Sequence, residues 1–293
     1  EDPIKPEGLE QEMITFINMH KKELTYLINH AVTMLTSENL KNICISTDDE
    51  YLTERYLIAL KWLLPRDISR NTGISTYNVY LPSDKQDRIV FHGTVYGKNN
   101  ITRNAIESRE NCIYLDFNNI DFSAVAVSSL FNMSVEEIRE QYVKYKLSSV
   151  TAYLDWFSLT QNVTFPGMGG KLLKFKRSAG DEAFAERAKE LFADIDSEDM
   201  AEVKFEITKV MYDNISMFPD ETKRLTEIYV TDCINKLCAG ENYDIESIVR
   251  ASDSTGVQIQ TIVDDLPKYM DIIYNSIDSM GDKNRRIVMN FLV

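Results

Sequence analysis

A short apolar run, Asn42 to Ser46, is followed at once by the acidic turn Thr47 to Glu50 and then by a helical pattern that ends at Pro65. The run is bounded like a buried strand and is too short for a helix. Thr47 and Glu50 have the spacing of a capping box, which predicts a helix that begins directly after the strand. A strand that turns straight into a helix predicts a crossover connection, and therefore an α/β unit.

The segments around this pattern predict the rest of that unit. Residues 8–36 carry apolar side chains at intervals of three and four, which predicts helical structure over this range. Ile74–Leu81 and Arg88–Tyr96 are rich in β-branched and aromatic residues and are separated by a polar turn, so they predict a β-hairpin. Cys112–Phe117 predicts a further buried strand. We therefore expect about four strands with one crossover helix and a hairpin.

The chain after residue 121 is predicted to be mainly helical. Ser134 and Glu137 form a second capping box at the start of one helix. The predicted helices span 135–146, 149–162, 181–194, 198–217, 220–239, 244–251, 255–265 and 268–292. The fold class is therefore α+β and mostly α, with a small α/β unit followed by a helical region.

Four segments are expected along the chain. Residues 1–36 form a linker and N-terminal helices that pack on the next unit, and residues 37–165 form the small α/β unit with flanking helices. One proline and three glycines between Pro166 and Gly170 predict a hinge loop over 166–180, which precedes a helical domain over 181–293. The acidic, proline-containing start without a Met predicts that this chain is a piece of a longer multidomain protein.

The charge of the chain excludes some classes of partner. The formal net charge is −14 and the sequence pI is about 4.8. Nucleic acids and anionic membrane surfaces bind through Lys and Arg, so we expect neither as a partner. No signal-peptide pattern and no apolar run of about 20 residues is present, which predicts a cytoplasmic protein.

One basic cluster stands out in the acidic second half of the sequence. Lys171, Lys174, Lys176 and Arg177 could bind a phosphate group or an acidic partner segment, or could be solvated surface. The cluster follows the Gly-rich segment that begins at Gly167. A P-loop would require glycine at Phe165 and Ser or Thr at Leu172, so the segment does not have the spacing of that motif.

Carboxylates follow two of the predicted strands. Asp48 and Asp49 come after the first strand and Asp116 ends the last one. Ligands of open α/β sheets bind at the carboxyl ends of strands, so these residues are candidates for a Mg²⁺ site. Asp48 and Asp49 are equally well explained as acids favoured by the helix dipole, and Asp116 as the residue that closes its strand.

Catalytic patterns are absent from the sequence. The three histidines His20, His30 and His92 are not accompanied by a G-x-S-x-G motif. The four cysteines lie in apolar runs, and none forms a C-x-x-C pair, which favours buried thiols over a metal site or disulfides. We therefore assign no catalytic residue, no metal and no cofactor, and favour a protein that is not an enzyme.

A family resemblance covers residues 40–118. The strand and acidic turn, the helix that ends in Leu63-Leu64-Pro65, the strand Ile74-Ser75-Thr76-Tyr77 and the later His92-Gly93-Thr94 resemble the middle domain of the bacterial GTPase-associated protein family. Ile74 stands where that family has an aromatic residue. The resemblance implies a large multidomain protein encoded beside GTPases in bacterial conflict systems, and it supplies no catalytic residues.

Two functions from different classes follow from these patterns. The first is a non-catalytic interaction or scaffold module that binds other proteins, with a GTPase as a candidate partner. The alternative is a nucleotide-binding or nucleotide-hydrolysing domain without a standard P-loop, which would use the strand–turn–helix at Ile43–Glu50 and the basic cluster.

Overall fold

The computed structural model describes residues 7–76, 89–95, 109–160, 167–196, 203–239, 266–278 and 280–292. The chain forms two compact units, of which the first comprises residues 1–161 and the second residues 162–293. The first unit contains a four-stranded sheet with helices, and the described part of the second unit is helical. The predicted α+β, mostly helical fold class is confirmed.

The first unit begins with two helices and continues through the sheet to two further helices. Its elements are α1 (Glu7–Met19), α2 (Lys21–Thr36), β1 (Asn42–Thr47), α3 (Glu50–Trp62), α4 (Arg66–Asn71), β2 (Gly73–Ser75), β3 (Val90–Val95), β4 (Cys112–Asp116), 3-10 turns at Phe122–Ala124 and Ser129–Asn132, α5 (Val135–Lys144) and α6 (Val150–Thr160).

All strands of the sheet are parallel, in the order β2-β3-β1-β4. β2 pairs with β3 in parallel, so the hairpin predicted for 74–81 and 88–96 is wrong. The cause is non-local: β3 is buried along its whole length between β2 and β1, and its local sequence does not encode the direction of either neighbour. Residues 77–88, which include the predicted turn, and residues 96–108 lie outside the described residues.

The local predictions for helix starts had mixed outcomes. The helical range predicted for 8–36 is divided into two helices, because the chain breaks at His20, whose ψ of 36° is not helical. α3 begins directly after β1 as predicted, but its N-cap is Asp49 and not Thr47, so the first predicted capping box is wrong. The second capping box, Ser134 with Glu137, is confirmed in both directions.

Close backbone packing joins α3 to the sheet. A Cβ built on Gly93 of β3 would lie 2.7 Å from Thr53 Cγ2 and 3.2 Å from Leu57 Cδ1, both on α3. Thr53 is itself held by its hydroxyl, which lies 2.6 Å from the Thr47 hydroxyl at the end of β1. The glycine therefore allows the helix to lie directly against the strand.

The second unit is built from helices throughout its described part. Its elements are α7 (Met168–Ala179), α8 (Asp181–Ala193), α9 (Lys204–Tyr212), a 3-10 turn at Ile215–Met217, α10 (Thr222–Cys238), α11 (Leu266–Ser276) and α12 (Asp282–Leu292). The helix predicted for 268–292 is thus two helices, and the helices predicted for 244–251 and 255–265 lie outside the described residues.

The hinge loop predicted for 166–180 is wrong, because α7 occupies most of that range. Gly167, with φ of 95°, is the N-cap residue, where a left-handed conformation suits glycine. Gly169 and Gly170 then lie in the first helical turn. A Cβ on Gly169 would meet Val210 Cγ2 at 3.1 Å and the Glu206 carbonyl oxygen at 3.2 Å, so this glycine permits a close approach of α7 to α9.

Candidate functional site

The carboxyl ends of the four parallel strands lie at one edge of the sheet. Of the candidate metal ligands, Asp48 and Asp49 follow β1 at this edge and Asp116 ends β4. Asp49 Oδ1 accepts hydrogen bonds from the backbone nitrogens of Tyr51, at 2.7 Å, and Leu52, at 3.2 Å. Asp48 is exposed beside it. The carboxylate of Asp49 is therefore used as a helix cap.

Asp116 is also engaged by its own loop. Its Oδ2 accepts a hydrogen bond of 2.6 Å from Asn119 Nδ2, and its Oδ1 accepts one of 3.3 Å from the Asn118 backbone nitrogen. This arrangement closes the strand, as the alternative explanation for Asp116 required. Within the described ranges, no group of three or more His, Cys, Asp or Glu side chains is placed to hold a metal ion.

A buried polar pair on the sheet was not predicted from the sequence. His92 Nε2 on β3 lies 2.9 Å from Asn42 Oδ1 on β1, and both side chains are buried. Burial lowers the pKa of His92 to about 4, so the ring is neutral and its Nε2–H donates to the amide oxygen. The only sequence signal was a polar residue on each of two apolar strands. The pair links the two strands and offers no charge.

The environment of the four cysteine side chains disfavours a reactive thiolate. All four are free of disulfide bonds. Burial raises the pKa of all four thiols. The pKa is about 11 for Cys112 and about 12 for Cys233. The thiolate is the reactive form of cysteine, so these pKa values disfavour nucleophilic or redox roles.

The basic cluster lies on α7 and does not converge on one point. Lys171, Lys174 and Arg177 follow one another at three-residue spacing, whereas Lys176 lies roughly 160° around the helix from Lys174. Lys176 Nζ donates a hydrogen bond of 2.6 Å to Asn214 Oδ1 and lies 3.6 Å from Asp181 Oδ1. One of the four cations is therefore part of the packing of the second unit.

The N-terminus of α7 holds an anion that the chain itself supplies. The carboxylate of Glu206, on α9, accepts hydrogen bonds of 2.9 Å from the backbone nitrogens of Gly167 and Gly169. Helix N-termini bind phosphates through such N–H groups. Because Glu206 already binds them, this glycine segment gives no support to the nucleotide-binding alternative.

An apolar groove lies between α1 and α3 in the first unit. Its volume is 490 Å³. Its lining consists of Leu9, Glu12, Met13 and Phe16 from α1, and of Tyr51, Glu54, Arg55, Ile58 and Trp62 from α3. Leu9 is 61% exposed and Tyr51 is 68% exposed, so two large apolar side chains of this lining are open to solvent.

Two ring and hydrogen-bond clusters fix the walls of this α1–α3 groove. At one place the rings of Phe16 and Tyr56 are 5.2 Å apart, and Tyr56 Oη lies 3.0 Å from His20 Nδ1. At another, the Arg139 guanidinium lies 4.2 Å from the Trp62 ring centre and 3.3 Å from Glu10 Oε1. Phe16 and Trp62, one from each wall, are therefore held by Tyr56 and Arg139, which do not line the groove.

The sequence predicts the apolar helix faces that line this groove, but it does not predict the groove. The apolar spacing of residues 8–36 includes Leu9, Met13 and Phe16, and the helical pattern that ends at Pro65 includes Tyr51. Such a face predicts burial, and the structure buries Met13 and Phe16 but leaves Leu9 and Tyr51 exposed. Periodicity identifies the face of a helix, whereas the separation of two helices depends on the packing of both.

None of the helices in the described ranges is both long enough and apolar enough to cross a bilayer. Comparison of the chain with protein-family models, with curated proteins and with solved structures gave no match. The resemblance to the GTPase-associated family therefore stays a prediction.

Proposed function

We propose that this protein is a non-catalytic interaction module that binds a partner protein in the α1–α3 groove. The observation that carries the proposal is the pair of exposed apolar side chains, Leu9 and Tyr51, on the two walls of a groove of 490 Å³. Exposed apolar surface of this kind marks interaction sites, and aromatic side chains dominate their binding energy.

The composition of the groove supports protein recognition over chemistry. The nine side chains that line it include no histidine, cysteine, serine or lysine, and the charged ones are two glutamates and one arginine. Trp62 and Tyr51 supply large, rigid contact areas of the type enriched in interfaces. The held position of Trp62 under Arg139 means that little side-chain freedom is lost on binding.

The wider setting of the module belongs to the same proposal. The family resemblance supports a scaffold role in a larger, defence-related bacterial protein, with a GTPase as a candidate partner. The net charge of −14 supports a protein partner over nucleic acid or an anionic membrane. A cytoplasmic location is consistent with four cysteines that all remain thiols.

A selection experiment tests the proposal, because it does not require the partner to be identified. Peptides of about four helical turns are selected from a displayed library on the full chain, and their affinities are measured for the wild type and for a Leu9→Ala, Tyr51→Ala variant. We expect the selected peptides to bind the variant at least tenfold more weakly.

The matched control is Tyr274→Ala. Tyr274 is 79% exposed on α11 in the second unit, so it offers the same residue type outside the groove. We expect this variant to bind the peptides as the wild type does. Selected peptides that bind all three proteins equally would overturn the proposed function, as would a selection that yields no binder.

A further inference from the structure

Both walls of the α1–α3 groove present side chains at the spacing of helical turns. On α1 the apolar lining residues are spaced by four and three positions, at Leu9, Met13 and Phe16. On α3 they are spaced by seven and four positions, at Tyr51, Ile58 and Trp62. One helical turn rises about 5.4 Å, so protruding side chains and the spaces between them repeat at about that distance on each wall. A third helix has the same spacing between its i, i+3 or i+4 and i+7 side chains, and can place them between those of the walls.

The length of the groove fits a short helix. α1 and α3 each contain 13 residues, which corresponds to about 20 Å. A helix of three to four turns spans that distance. Phe16 and Trp62 on the two walls are already held by Tyr56 and Arg139, which do not line the groove.

The charge of the lining is negative. Glu12 and Glu54 face the groove with a single cation, Arg55, whose Nη2 lies 3.8 Å from Glu12 Oε2. Within the described part of the chain, Glu54 has no ion-pair partner, and it is only partly exposed. A carboxylate beside an apolar groove favours an occupant with a cation next to its apolar stripe.

We propose that the occupant of the groove is an amphipathic helix with Lys or Arg residues beside its apolar stripe, a partner class that rests on the proposed function. Glu54 selects this charge, and the apolar walls supply the contact area. A second copy of the chain is disfavoured, because it would bring the same carboxylates together within a protein of net charge −14.

The test uses two synthetic peptides of about 14 residues that share one apolar stripe of Leu and Trp. In one peptide the stripe is flanked by Lys, and in the other by Glu. Binding of each labelled peptide to the full chain is measured by fluorescence anisotropy. We expect the Lys peptide to bind at least tenfold more tightly than the Glu peptide, and its affinity to fall as salt is added.

Charge reversal in the groove gives the decisive comparison. Glu54→Lys is expected to weaken the binding of the Lys peptide by about tenfold and to strengthen the binding of the Glu peptide by about tenfold. Asp271→Lys makes the same change in net charge at an exposed position of α11 and is expected to leave the preference unchanged. This control separates local recognition from the general attraction of an acidic protein for a basic peptide.

The outcomes distinguish the partner class from the proposed function. Suppose that the Leu9→Ala, Tyr51→Ala variant binds both peptides more weakly, but that Glu54→Lys and Asp271→Lys have equal effects on the affinities. The basic helix is then overturned, and docking in the groove stands. If neither peptide binds and the library also yields no groove-dependent binder, both proposals fail. A chain that sediments as a dimer, and becomes a monomer in the Leu9→Ala, Tyr51→Ala variant, would assign the groove to a second copy and overturn the inference.

Discussion

The Glu206 carboxylate is hydrogen-bonded to the first turn of α7, where its Oε2 accepts a hydrogen bond of 2.9 Å from the backbone nitrogen of Gly169. Its Oε1 accepts a second hydrogen bond, from the backbone nitrogen of the N-cap residue Gly167. The first N–H groups of a helix have no intrahelical partner and carry the positive end of the helix dipole. The carboxylate thus replaces the capping side chain that a glycine N-cap lacks, and it also connects α9 to α7.

Loss of this carboxylate should destabilise the second unit. For Glu206→Ala we expect a decrease of about 1–2 kcal/mol in the free energy of unfolding, because two backbone donors lose a charged acceptor. Urea denaturation followed by far-ultraviolet circular dichroism measures the change. The control is Glu140→Ala on α5, where the glutamate is exposed. Equal losses in the two variants would contradict a capping role for Glu206.

The two glycines in the first turn of α7 should respond oppositely to alanine. A Cβ on Gly170 meets nothing within 4 Å, so Gly170→Ala should raise the free energy of unfolding by about 0.5–1 kcal/mol through the higher helix propensity of alanine. A Cβ on Gly169 would press on Val210 and on the backbone of Glu206, so Gly169→Ala should lower it by about 1 kcal/mol. Thermal melting of both variants is the measurement. If the free energy of unfolding increased in both variants, α7 and α9 would be able to move apart without a loss of stability.

The contrast between two helix caps shows what the sequence can predict. Ser134 and Glu137 are three residues apart, so their reciprocal bonds follow from local geometry, and the prediction was correct. Glu206 and Gly167 are 39 residues apart in the sequence and meet only because α7 packs against α9. The predicted hinge failed for this reason, since glycines that break an isolated helix are tolerated where a neighbouring helix caps and covers them.

The same limit applies to the sheet and to the α1–α3 groove. β3 was recognised as a strand from its own residues, but its parallel pairing with β2 depends on a connection that carries no local signature of direction. Leu9 and Tyr51 belong to segments with helical apolar spacing, while their exposure depends on how α1 and α3 pack against each other. Local patterns therefore identified elements and faces, and tertiary packing determined which of those faces stayed open.

The contact between Gly93 and Thr53 should make the packing of α3 on the sheet sensitive to one methyl group. Gly93→Ala would bring its Cβ to 2.7 Å from Thr53 Cγ2, and we expect a loss of about 1–3 kcal/mol in the free energy of unfolding. Thr53→Ser removes that methyl group and keeps the hydroxyl that bonds to Thr47.

A double-mutant cycle measures this coupling. The Gly93→Ala, Thr53→Ser variant should recover about 1 kcal/mol relative to the sum of the single changes. Tryptophan fluorescence is a suitable probe, because both tryptophans, Trp62 and Trp156, lie in the first unit. Strict additivity of the two changes would show that the strain is relieved elsewhere, for example at Leu57.

The buried His92 should make the stability of the first unit depend on pH. Burial lowers the pKa of His92 to about 4 from an ordinary value of 6.5. Because the unfolded chain takes up the proton more readily, His92 favours the folded state fully above pH 6.5, and this contribution is lost as the pH falls towards 4. Between pH 7 and pH 5 we expect His92 to account for a decrease of about 2 kcal/mol in the free energy of unfolding.

The variant that tests this is His92→Gln, which cannot titrate but keeps an N–H donor that can reach the Asn42 amide oxygen. Urea denaturation at pH 7 and pH 5 is followed by tryptophan fluorescence for both proteins. The variant is expected to be less stable than the wild type at pH 7, because glutamine does not fill the space of the imidazole ring. Its decrease between pH 7 and pH 5 should nevertheless be smaller by about 2 kcal/mol. The same decrease in both proteins would mean that other groups, and not His92, bind the protons taken up on unfolding.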